Sequence, residues 1–344
     1  MRIDIERASK KSASEWAEIL KNYRTPKNIR ALWEVVLTII PFIALWVAMY
    51  QMIDTSLWLT FLLALPTGAL LVRIFILQHD CGHGSFFRTQ ALNTWVGRLL
   101  GILTMTPFDL WKRKHAIHHA GHGSLDHRGI GDITTLTVDE YMAKGKWGQI
   151  LYRLYRHPVI MFVIGPAYVF LLEHRFPFKD MTAGVMPWAS TLSTNAGIIA
   201  FSAIMMWQFG VYEFLLIQIP VTMVAASLGV WLFFIQHQFE DTVWDRRPAW
   251  DRKEAALYGS SHYDLPAPLR WLSGNIGIHH VHHICAQIPF YRLPTILKDY
   301  PELRDISRIT LWESIKCSQL ALWDADNYRL TSFRQLNRTN APTS

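Results

Sequence analysis

Four long apolar runs, arranged in two pairs, constrain this sequence more than any other feature. They are Leu32–Ile53, Leu57–Leu77, Leu192–Gln208 and Phe214–Ile235. A run of about 20 apolar residues is long enough to cross the hydrocarbon core of a bilayer as a helix. The hydrophobic residues, 51% of a 344-residue chain, are thus pooled in a way that is typical of a membrane protein. Arg73, near the end of the second run, is expected to extend toward the lipid headgroups.

The short links within each pair, DTS and FGVYE, contain neither Lys nor Arg. The basic residues lie in the N-terminal segment, between the two pairs, and after the last run. Because cytoplasmic loops carry an excess of Lys and Arg, each pair is predicted to form a hairpin whose open end faces the cytoplasm. This orientation explains the net charge of +7, so nucleic acid is not expected as a partner. The N-terminus lacks the pattern of a secretory signal.

Two shorter apolar stretches, 91–105 and 158–172, are expected to lie along the membrane surface. The second has only 15 residues, and a fifth crossing there would put the C-terminal segment on the opposite face. The predicted fold is all-α and integral to the membrane, with four transmembrane helices in two hairpins and a cytoplasmic helical cap. The cap comprises residues 79–149 and 237–325, within a single membrane domain covering 1–344.

Two capping boxes mark predicted helix starts in the cap. Thr137 with Glu140, and Thr310 with Glu313, have the Thr-x-x-Glu spacing in which each partner satisfies a backbone N–H of the other. After the second of these helices, the last fifteen or so residues are expected to form a loose tail.

Nine histidines fall in three tight clusters, HDCGH, HAIHH and HHVHH, all on the predicted cytoplasmic side, and eight of them are candidate ligands. The candidate metal ligands are His79, His83, His115, His118, His119, His279, His282 and His283. Side chains three or four positions apart share a helix face, whereas adjacent residues diverge by about 100°. The adjacent pairs His118–His119 and His282–His283 can thus serve two neighbouring metals. A lone histidine is usually a hydrogen-bonded structural residue, but three clusters on one face predict metal binding.

The number of candidate ligands indicates two metal ions, because a tetrahedral zinc takes only four. Imidazole suits Zn, Cu, Fe and Ni, and the spacing does not choose among them. His237, just past the fourth run, lies on the correct face to complete the site. Asp80 could orient a ligand imidazole or pair with a nearby Lys or Arg, Asn275 could hold a metal-bound water, and His280 is expected to support the ligands. Three further histidines near the clusters are expected to form hydrogen bonds, with a ligand role as the alternative: His122, His127 and His262.

The chain resembles a known family. The segments HDCGHGSF, HAIHHA and GIHHVHHICAQIPFYRL, with the later ITLWESIKCSQLALWD, are similar to the membrane-bound fatty acid desaturases, especially the bacterial acyl-lipid branch that includes the Δ12 (ω-6) enzymes. This resemblance implies two iron ions held by the eight candidate ligands named above, with His237 in the place of a further ligand. It implies no catalytic side chain beyond the metal ligands.

The resemblance also implies a reaction and its partners. The enzyme would insert a cis double bond into acyl chains of membrane lipids, using O2, in the inner (cytoplasmic) membrane of the cell. Hydrogen abstraction from an unactivated methylene needs an oxidant that side chains cannot supply, which fits a redox metal. Because no HPGG motif of a fused cytochrome b5 is present, electrons are expected from a separate ferredoxin, flavodoxin or cytochrome b5-like donor. The basic cytoplasmic face could dock an acidic carrier, although membrane orientation explains the same charges.

Two alternative functions remain open at this point. A fatty acyl hydroxylase or related di-iron oxygenase would use the same framework with the substrate carbon placed differently. A metal transporter or sensor would hold its ligands near the membrane midplane, whereas these histidines lie at or beyond the ends of the apolar runs. Phe75, Trp231 and Phe234 are candidates for the wall of an acyl tunnel, with ordinary packing as the alternative.

Overall fold

A computed structural model of the chain describes residues 11–178 and 182–339. The fold is mostly helical. Its helices in chain order are α1 (Ala13–Leu20), α2 (Asn28–Met52), α3 (Leu57–His83), α4 (Gln90–Leu103), α5 (Phe108–Gly121), α6 (Val138–Met142), α7 (Lys146–Tyr155), α8 (Gly165–Leu171), α9 (Val185–Phe209), α10 (Val211–His237), α11 (Arg252–Tyr258), α12 (Ala267–Leu272), α13 (His279–Ile284), α14 (Leu293–Asp299), α15 (Leu311–Cys317) and α16 (Phe333–Thr339).

Four of these helices, α2, α3, α9 and α10, are the ones in the described ranges that are long and apolar enough to span a membrane. They cover the four predicted runs, except that Ile53 lies just past the end of α2, and they indicate a membrane protein. Helix α3 continues to His83 rather than ending at Leu77, and α9 begins at Val185 rather than Leu192. Buried residues make up 56% of the most apolar stretch of α3, against 17% to 28% in the other three. Helix α3 is therefore central, and it packs against α2, α4 and α10.

The two predicted surface stretches are also helical. Helix α4 covers almost the same residues as 91–105 and packs against α3 and α9. The stretch 158–172 forms a π-helical turn, Ile160–Ile164, that leads directly into α8. Together with α7 it makes a pair of segments, Lys146–Tyr155 and Ile160–Arg175, that are bent by 57° relative to each other. Such a bend is compatible with a broken fifth span as well as with a re-entrant loop, so the predicted surface position of 158–172 stays a prediction.

Two small sheets lie among the helices of the cap, which the all-helical prediction did not include. Strands β1 (Leu136–Thr137), β4 (Leu320–Asp324) and β5 (Arg329–Ser332) form one sheet in the order β1-β4-β5, and β2 (His262–Asp264) pairs in parallel with β3 (Arg308–Thr310) in the other. The late helix α15 ends at Cys317, and the part of the expected loose tail that the structure describes forms β5 and α16. The sequence LALWD is a strand because its apolar side chains are buried between elements distant in the chain.

Both predicted capping boxes are confirmed. The hydroxyl of Thr137 accepts a bond from the Glu140 N–H at 3.1 Å, and the Glu140 carboxylate accepts one from the Thr137 N–H at 2.9 Å. Thr310 and Glu313 exchange the same two bonds at 3.4 and 2.8 Å. These bonds begin α6 and α15 at the predicted positions.

Arg73 is buried, so the prediction that it extends to the headgroups is wrong. Only 1% of its surface is exposed. Its guanidinium donates to the Glu34 carboxylate of α2 at 2.5 Å, to the Thr38 hydroxyl at 3.0 Å, and to the Trp271 carbonyl. A charge in an apolar helix is costly without partners, and Glu34, which also pairs with Arg30 at 2.6 Å, supplies the opposite charge. This network joins α2, α3 and the end of α12.

Candidate metal centre

The last turn of α3 carries the first two histidines. His79 and His83 lie four positions apart, and their Nε2 atoms are 3.3 Å apart. The helix stops at Gly84, whose φ of +67° lies in the left-handed region that favours a residue without Cβ. The helix therefore ends immediately after His83. The imidazoles of His79 and His83 can lie at the end of a membrane-length helix because they face other imidazoles rather than lipid.

Helix α5 brings the second cluster against the first. The Nε2 atom of His115 lies 3.0 Å from those of both His79 and His83, and that of His119 lies 3.1 Å from His115. The indole of Trp111 stacks on the His115 ring with 4.7 Å between centroids. Burial holds the pKa values of His115 and His119 well below the ordinary range, so both rings are neutral and each keeps a lone pair for a metal.

The ligand atoms form two groups. The first takes one nitrogen each, all within 4.8 Å of one another, from His79, His83, His115, His119 and His282. The second takes one nitrogen each, within the same distance, from His118, His237 and His283. His279 adjoins the second group, with its Nε2 atom 3.1 Å from that of His237. The adjacent pairs on α5 and α13 are each divided between the groups, as their spacing predicted.

The two groups are neighbours. His119 of the first group and His283 of the second have stacked rings with 4.1 Å between centroids. His237, the last residue of α10, enters between α5 and α13 and places its Nε2 atom 3.2 Å from that of His118. The end of the fourth apolar helix thus completes the second group.

The short distances between nitrogen atoms fit metal binding better than hydrogen bonding. The Nε2 atoms of His79, His83 and His115 form a triangle with sides of 3.0, 3.0 and 3.3 Å. A neutral imidazole has one donor and one acceptor nitrogen, so three mutually facing Nε2 atoms cannot form three hydrogen bonds. Nitrogens bound about 2.0–2.1 Å from one ion at right angles are about 3 Å apart, which matches the triangle.

The third cluster adds buried ring nitrogens that have no hydrogen-bond partner in the described part of the chain. Both ring nitrogens of His282 and His283 are of this kind, as is Nδ1 of His279. An unsatisfied buried polar atom costs about 1–3 kcal/mol. Protonation does not satisfy them, because burial lowers the pKa of all three histidines well below the ordinary value. The residues present therefore fit a centre that binds metal ions.

Comparison with known proteins gives the family of this chain. The model of the family described as "Fatty acid desaturase" matches residues 56–314, well over half of the chain and every histidine of both groups. The chain belongs to the fatty acid desaturase family. It is accordingly an oxidoreductase that desaturates fatty acids, and the alternative of a hydroxylase is not favoured.

Relatives of this desaturase support the assignment. A protein of Bacillus subtilis named "Fatty acid desaturase" is 42% identical over 314 residues, which cover 91% of this chain and 89% of the relative. The "sn-1 acyl-lipid omega-3 desaturase (ferredoxin)" of Synechocystis sp. is 29% identical, with 66% of this chain and 63% of the relative covered. The "sn-1 oleoyl-lipid 12-desaturase" of Arthrospira platensis is 27% identical, with 67% and 64% covered.

Two carboxylates of the desaturase contact the second nitrogen of a clustered histidine. Oδ1 of Asp80 lies 3.3 Å from Nδ1 of His79, and its Oδ2 accepts a bond from the Phe290 N–H at 2.7 Å. Oδ1 of Asp132 lies 2.5 Å from Nδ1 of His118. Asp80 thus contacts an imidazole, and the prediction that it orients this ring as a metal ligand stays a prediction. Asp132 was missed, and the one sequence signal for it is an acid in the glycine-rich loop shortly after the second cluster.

The loop that carries Asp132 is anchored at both ends by Arg128 and Glu140. The guanidinium of Arg128 donates two bonds to the Glu140 carboxylate, at 2.6 and 2.8 Å, and one to the Thr135 carbonyl at 2.6 Å. The bond from Arg128 lowers the pKa of Glu140 to about 2. The capping box of Thr137 and Glu140 connects this ion pair to the start of α6. The ion pair, called the Arg128–Glu140 clamp below, thus fixes the loop that holds Asp132 against His118.

His280 and Asn275, predicted to support the ligands, contact backbone groups instead. The Nε2–H of His280 donates to the Leu303 carbonyl at 2.8 Å, away from both groups of ligands. Asn275 has a φ of +56° and closes the turn before α13 by bonding the Arg270 carbonyl and the Ile278 N–H through its backbone. Any effect of His280 on the metal therefore acts through the position of α13. The metal-bound water of Asn275 stays a prediction.

Of the three further histidines named in the sequence analysis, two are buried and one is exposed. His122 is buried beside the second group and its Nε2–H donates to the Gly259 carbonyl at 2.9 Å, while Nδ1 of His262 lies 2.6 Å from the Arg304 carbonyl. Both thus form the predicted hydrogen bonds. His127 is exposed in the loop that follows α5.

The candidates for a tunnel wall pack on aromatic rings. Phe75 meets Trp111 edge-on with 5.3 Å between centroids, next to the first group. Trp231 and the fully buried Phe234 both contact Phe162, at 4.9 and 5.2 Å. These contacts satisfy ordinary packing, and a role in an acyl tunnel stays a prediction.

Proposed function

We propose that this desaturase introduces a cis double bond into acyl chains of membrane lipids at a centre of two iron ions. The observation that carries the proposal is the convergence of nine imidazoles into two adjacent groups. One ion would be held by His79, His83, His115, His119 and His282. The other would be held by His118, His237, His279 and His283.

Iron, when bound at these groups, supplies the redox chemistry with O2 that side chains cannot perform. Zinc is redox-inactive and would leave the reaction without an oxidant. The overall reaction balances with one O2, two electrons from a donor and two protons. Two hydrogen atoms leave adjacent carbons of the acyl chain, and the oxygen leaves as two waters.

The protein's own residues prepare the ligands for this chemistry. Burial keeps the rings outside the apolar helices neutral, so their lone pairs are available at neutral pH. Asp132 would hold His118 as the tautomer that carries its proton on Nδ1 and its lone pair on Nε2. Asp80 would do the same for His79, while its other oxygen ties the end of α3 to the Phe290 backbone.

We place the centre on the cytoplasmic side of the inner membrane. All nine histidines lie at or beyond the ends of the membrane-length helices, on the same side as the segments rich in Lys and Arg. The electron donor would be a separate protein. The printed names of two relatives, "sn-1 acyl-lipid omega-3 desaturase (ferredoxin)" and "Acyl-lipid omega-3 desaturase (cytochrome b5), endoplasmic reticulum", support an external donor without choosing between the two kinds.

Expression in a bacterium that has no desaturase, followed by gas chromatography with mass spectrometry of its fatty acids, tests the proposal. We expect new cis-unsaturated acyl chains, and two iron ions per chain in the purified protein. The variant His118→Ala should lower product formation more than about 100-fold, since loss of a partner of a ligand alone costs 10–100-fold.

The variant His127→Ala is the matched control, because it removes an exposed imidazole from the same region. It should retain wild-type product and iron. Hydroxylated chains in place of unsaturated ones, or active protein without iron, would contradict the proposal.

A further inference from the structure

A cavity on the surface of the cap leads to one of the proposed metal ligands. It has a volume of about 180 Å³ and lies between α1, the start of α11, and α13. His283 and Ile284 are among the residues that line it. The charged residues that line it are Glu18, Lys21, Arg24, Arg252 and Lys253. Because His283 belongs to the second group of histidines, this basic cavity adjoins the proposed centre.

The charges of the basic cavity are not balanced within it. Lys21 pairs with Glu18, which is the one acid among the lining residues. Arg24 instead directs its Nε–H at the Cys285 sulfur, 3.0 Å away, and Lys253 donates to the Ser14 hydroxyl at 3.3 Å. Arg252 adds a further positive charge at an exposed position. An excess of positive charge at a concave surface raises the local concentration of anionic partners.

The surroundings of the basic cavity favour a soluble partner over a lipid surface. Segments that lie in the membrane interface present Trp, Phe or Leu side chains together with their basic residues. Among the described residues, the large exposed apolar side chains lie elsewhere, and none belongs to α1 or α11. The apolar groups that line the cavity are limited to Ala17, Ala256 and Ile284.

We propose that the basic cavity and its rim dock an acidic one-electron carrier protein, and that His283 lies on the path by which electrons reach the centre. The inference rests on the proposed function, because the desaturation of one acyl chain consumes two donor electrons. Each carrier molecule gives up one electron and is oxidised, so two are consumed for each double bond. No covalent bond forms between the two proteins. The positive charge on this face thus has a use beyond membrane orientation.

The test uses the purified iron-loaded desaturase in lipid nanodiscs and an acidic [2Fe–2S] ferredoxin as the probe. The dissociation constant of the complex between the two proteins is measured by calorimetry at low and high NaCl. The wild type is compared with the double variant Arg252→Glu/Lys253→Glu. At low salt, we expect the variant to bind ferredoxin about tenfold or more weakly than the wild type does. Binding by the wild type should itself weaken as salt is added. The rate at which the reduced ferredoxin is oxidised should fall by the same factor, while reduction by dithionite stays unchanged.

The matched control is Lys144→Glu/Lys146→Glu, which reverses the charge of two exposed lysines at or just before the start of α7. Neither lysine lines the basic cavity. Its binding should stay within about twofold of the wild type. A zero-length carbodiimide crosslink between ferredoxin carboxylates and lysines gives an independent readout. Crosslinks to Lys21 and Lys253 are expected, and these need no variant to fold.

Several outcomes would overturn the docking site. They are ferredoxin binding that is unchanged by the Arg252 and Lys253 reversal, equal weakening in the control, or crosslinks confined to Lys144 and Lys146. Weaker association of the variant with anionic vesicles, at unchanged ferredoxin binding, would assign these cations to the membrane instead. Failure of the proposed function would appear as missing iron or missing double bonds. The binding measurement would still show whether ferredoxin docks at the basic cavity.

Discussion

Asp132 lies fourteen positions after His118 in the chain, and its carboxylate contacts Nδ1 of that imidazole at 2.5 Å. The contact leaves Nε2 of His118 facing Nε2 of His237, 3.2 Å away. The carboxylate thereby fixes both the ring orientation and the position of the ring proton. A residue outside the histidine clusters thus determines how one of the proposed ligands presents its lone pair.

The variant Asp132→Asn should therefore weaken iron binding to the second group. The amide cannot hold an imidazole as strongly as a carboxylate, and loss of such a partner costs about 10–100-fold in metal affinity. Competition with a coloured iron chelator measures the change. Asp139→Asn, which alters an exposed acid of α6, should leave the affinity unchanged, and an Asp132→Asn protein with wild-type affinity would exclude this role.

The neighbouring histidines of α13 should differ in their effect on metal content. His282 contributes to the first group, whereas His280 bonds the Leu303 carbonyl on the other side of the helix. We expect His282→Ala to lose the ion of the first group and His280→Gln to keep both ions. The second variant should lose stability of about 1–3 kcal/mol, because a buried hydrogen bond is weakened. Iron analysis of the two purified proteins checks this, and equal metal loss would contradict it.

Gly82 should resist substitution because Trp111 occupies the space beside it. A Cβ at Gly82 would lie 2.7 Å from the Trp111 ring, which stacks on His115. Gly82→Ala should displace the indole, destabilise the protein by about 1–3 kcal/mol and lower its iron content. Gly229→Ala in α10 is the matched control, since a Cβ there meets no atom within 4 Å. Thermal unfolding in detergent and iron analysis compare the two variants. Equal melting temperatures and equal iron contents would contradict the prediction.

The stability conferred by the Arg128–Glu140 clamp should depend on pH. Arg128 lowers the pKa of Glu140 from 4.5 to about 2, so the folded protein favours the ionised carboxylate. The stabilisation is present above about pH 4.5 and is lost as the pH falls toward 2. Because the pair is partly exposed, its contribution is roughly 1 kcal/mol.

The variant Glu140→Gln should accordingly have a lower melting temperature than the wild type at pH 7, and the difference should shrink on acidification. Melting curves in detergent between pH 7 and pH 3 measure it. Glu254→Gln, which removes an acid of α11 outside the clamp, is the control. A difference for Glu140→Gln that grew on acidification would contradict the assignment.

The parts of the centre that follow from local spacing were predictable from the sequence. Periodicity alone places His79 with His83 and divides His118 from His119, and the polar end of an apolar run marks His237. The convergence of the three clusters rested on their shared side of the membrane and on the resemblance to desaturases. The structure contains the same groups because the three clusters lie within the helices α3, α5 and α13, where the helix period applies.

The features that sequence reasoning missed depend on partners far apart in the chain. Arg73 finds Glu34 on another helix and the Trp271 carbonyl in the cap, and nothing near Arg73 in the sequence indicates either. Strand β4 pairs in parallel with β1, which lies well over a hundred residues earlier. Asp132 sits in an irregular loop whose path is set by Gly129 and Gly131, both at positive φ. No local period describes such contacts.

The division of each adjacent histidine pair between the two groups has a consequence for biosynthesis. The first group needs His79 from early in the chain and His282 from late in it, and the second needs His118 and His283. Neither group can therefore be complete before residue 282 has been synthesised. The complete metal centre that we propose could thus assemble only after both hairpins have been synthesised, and chains that end before His282 would lack it.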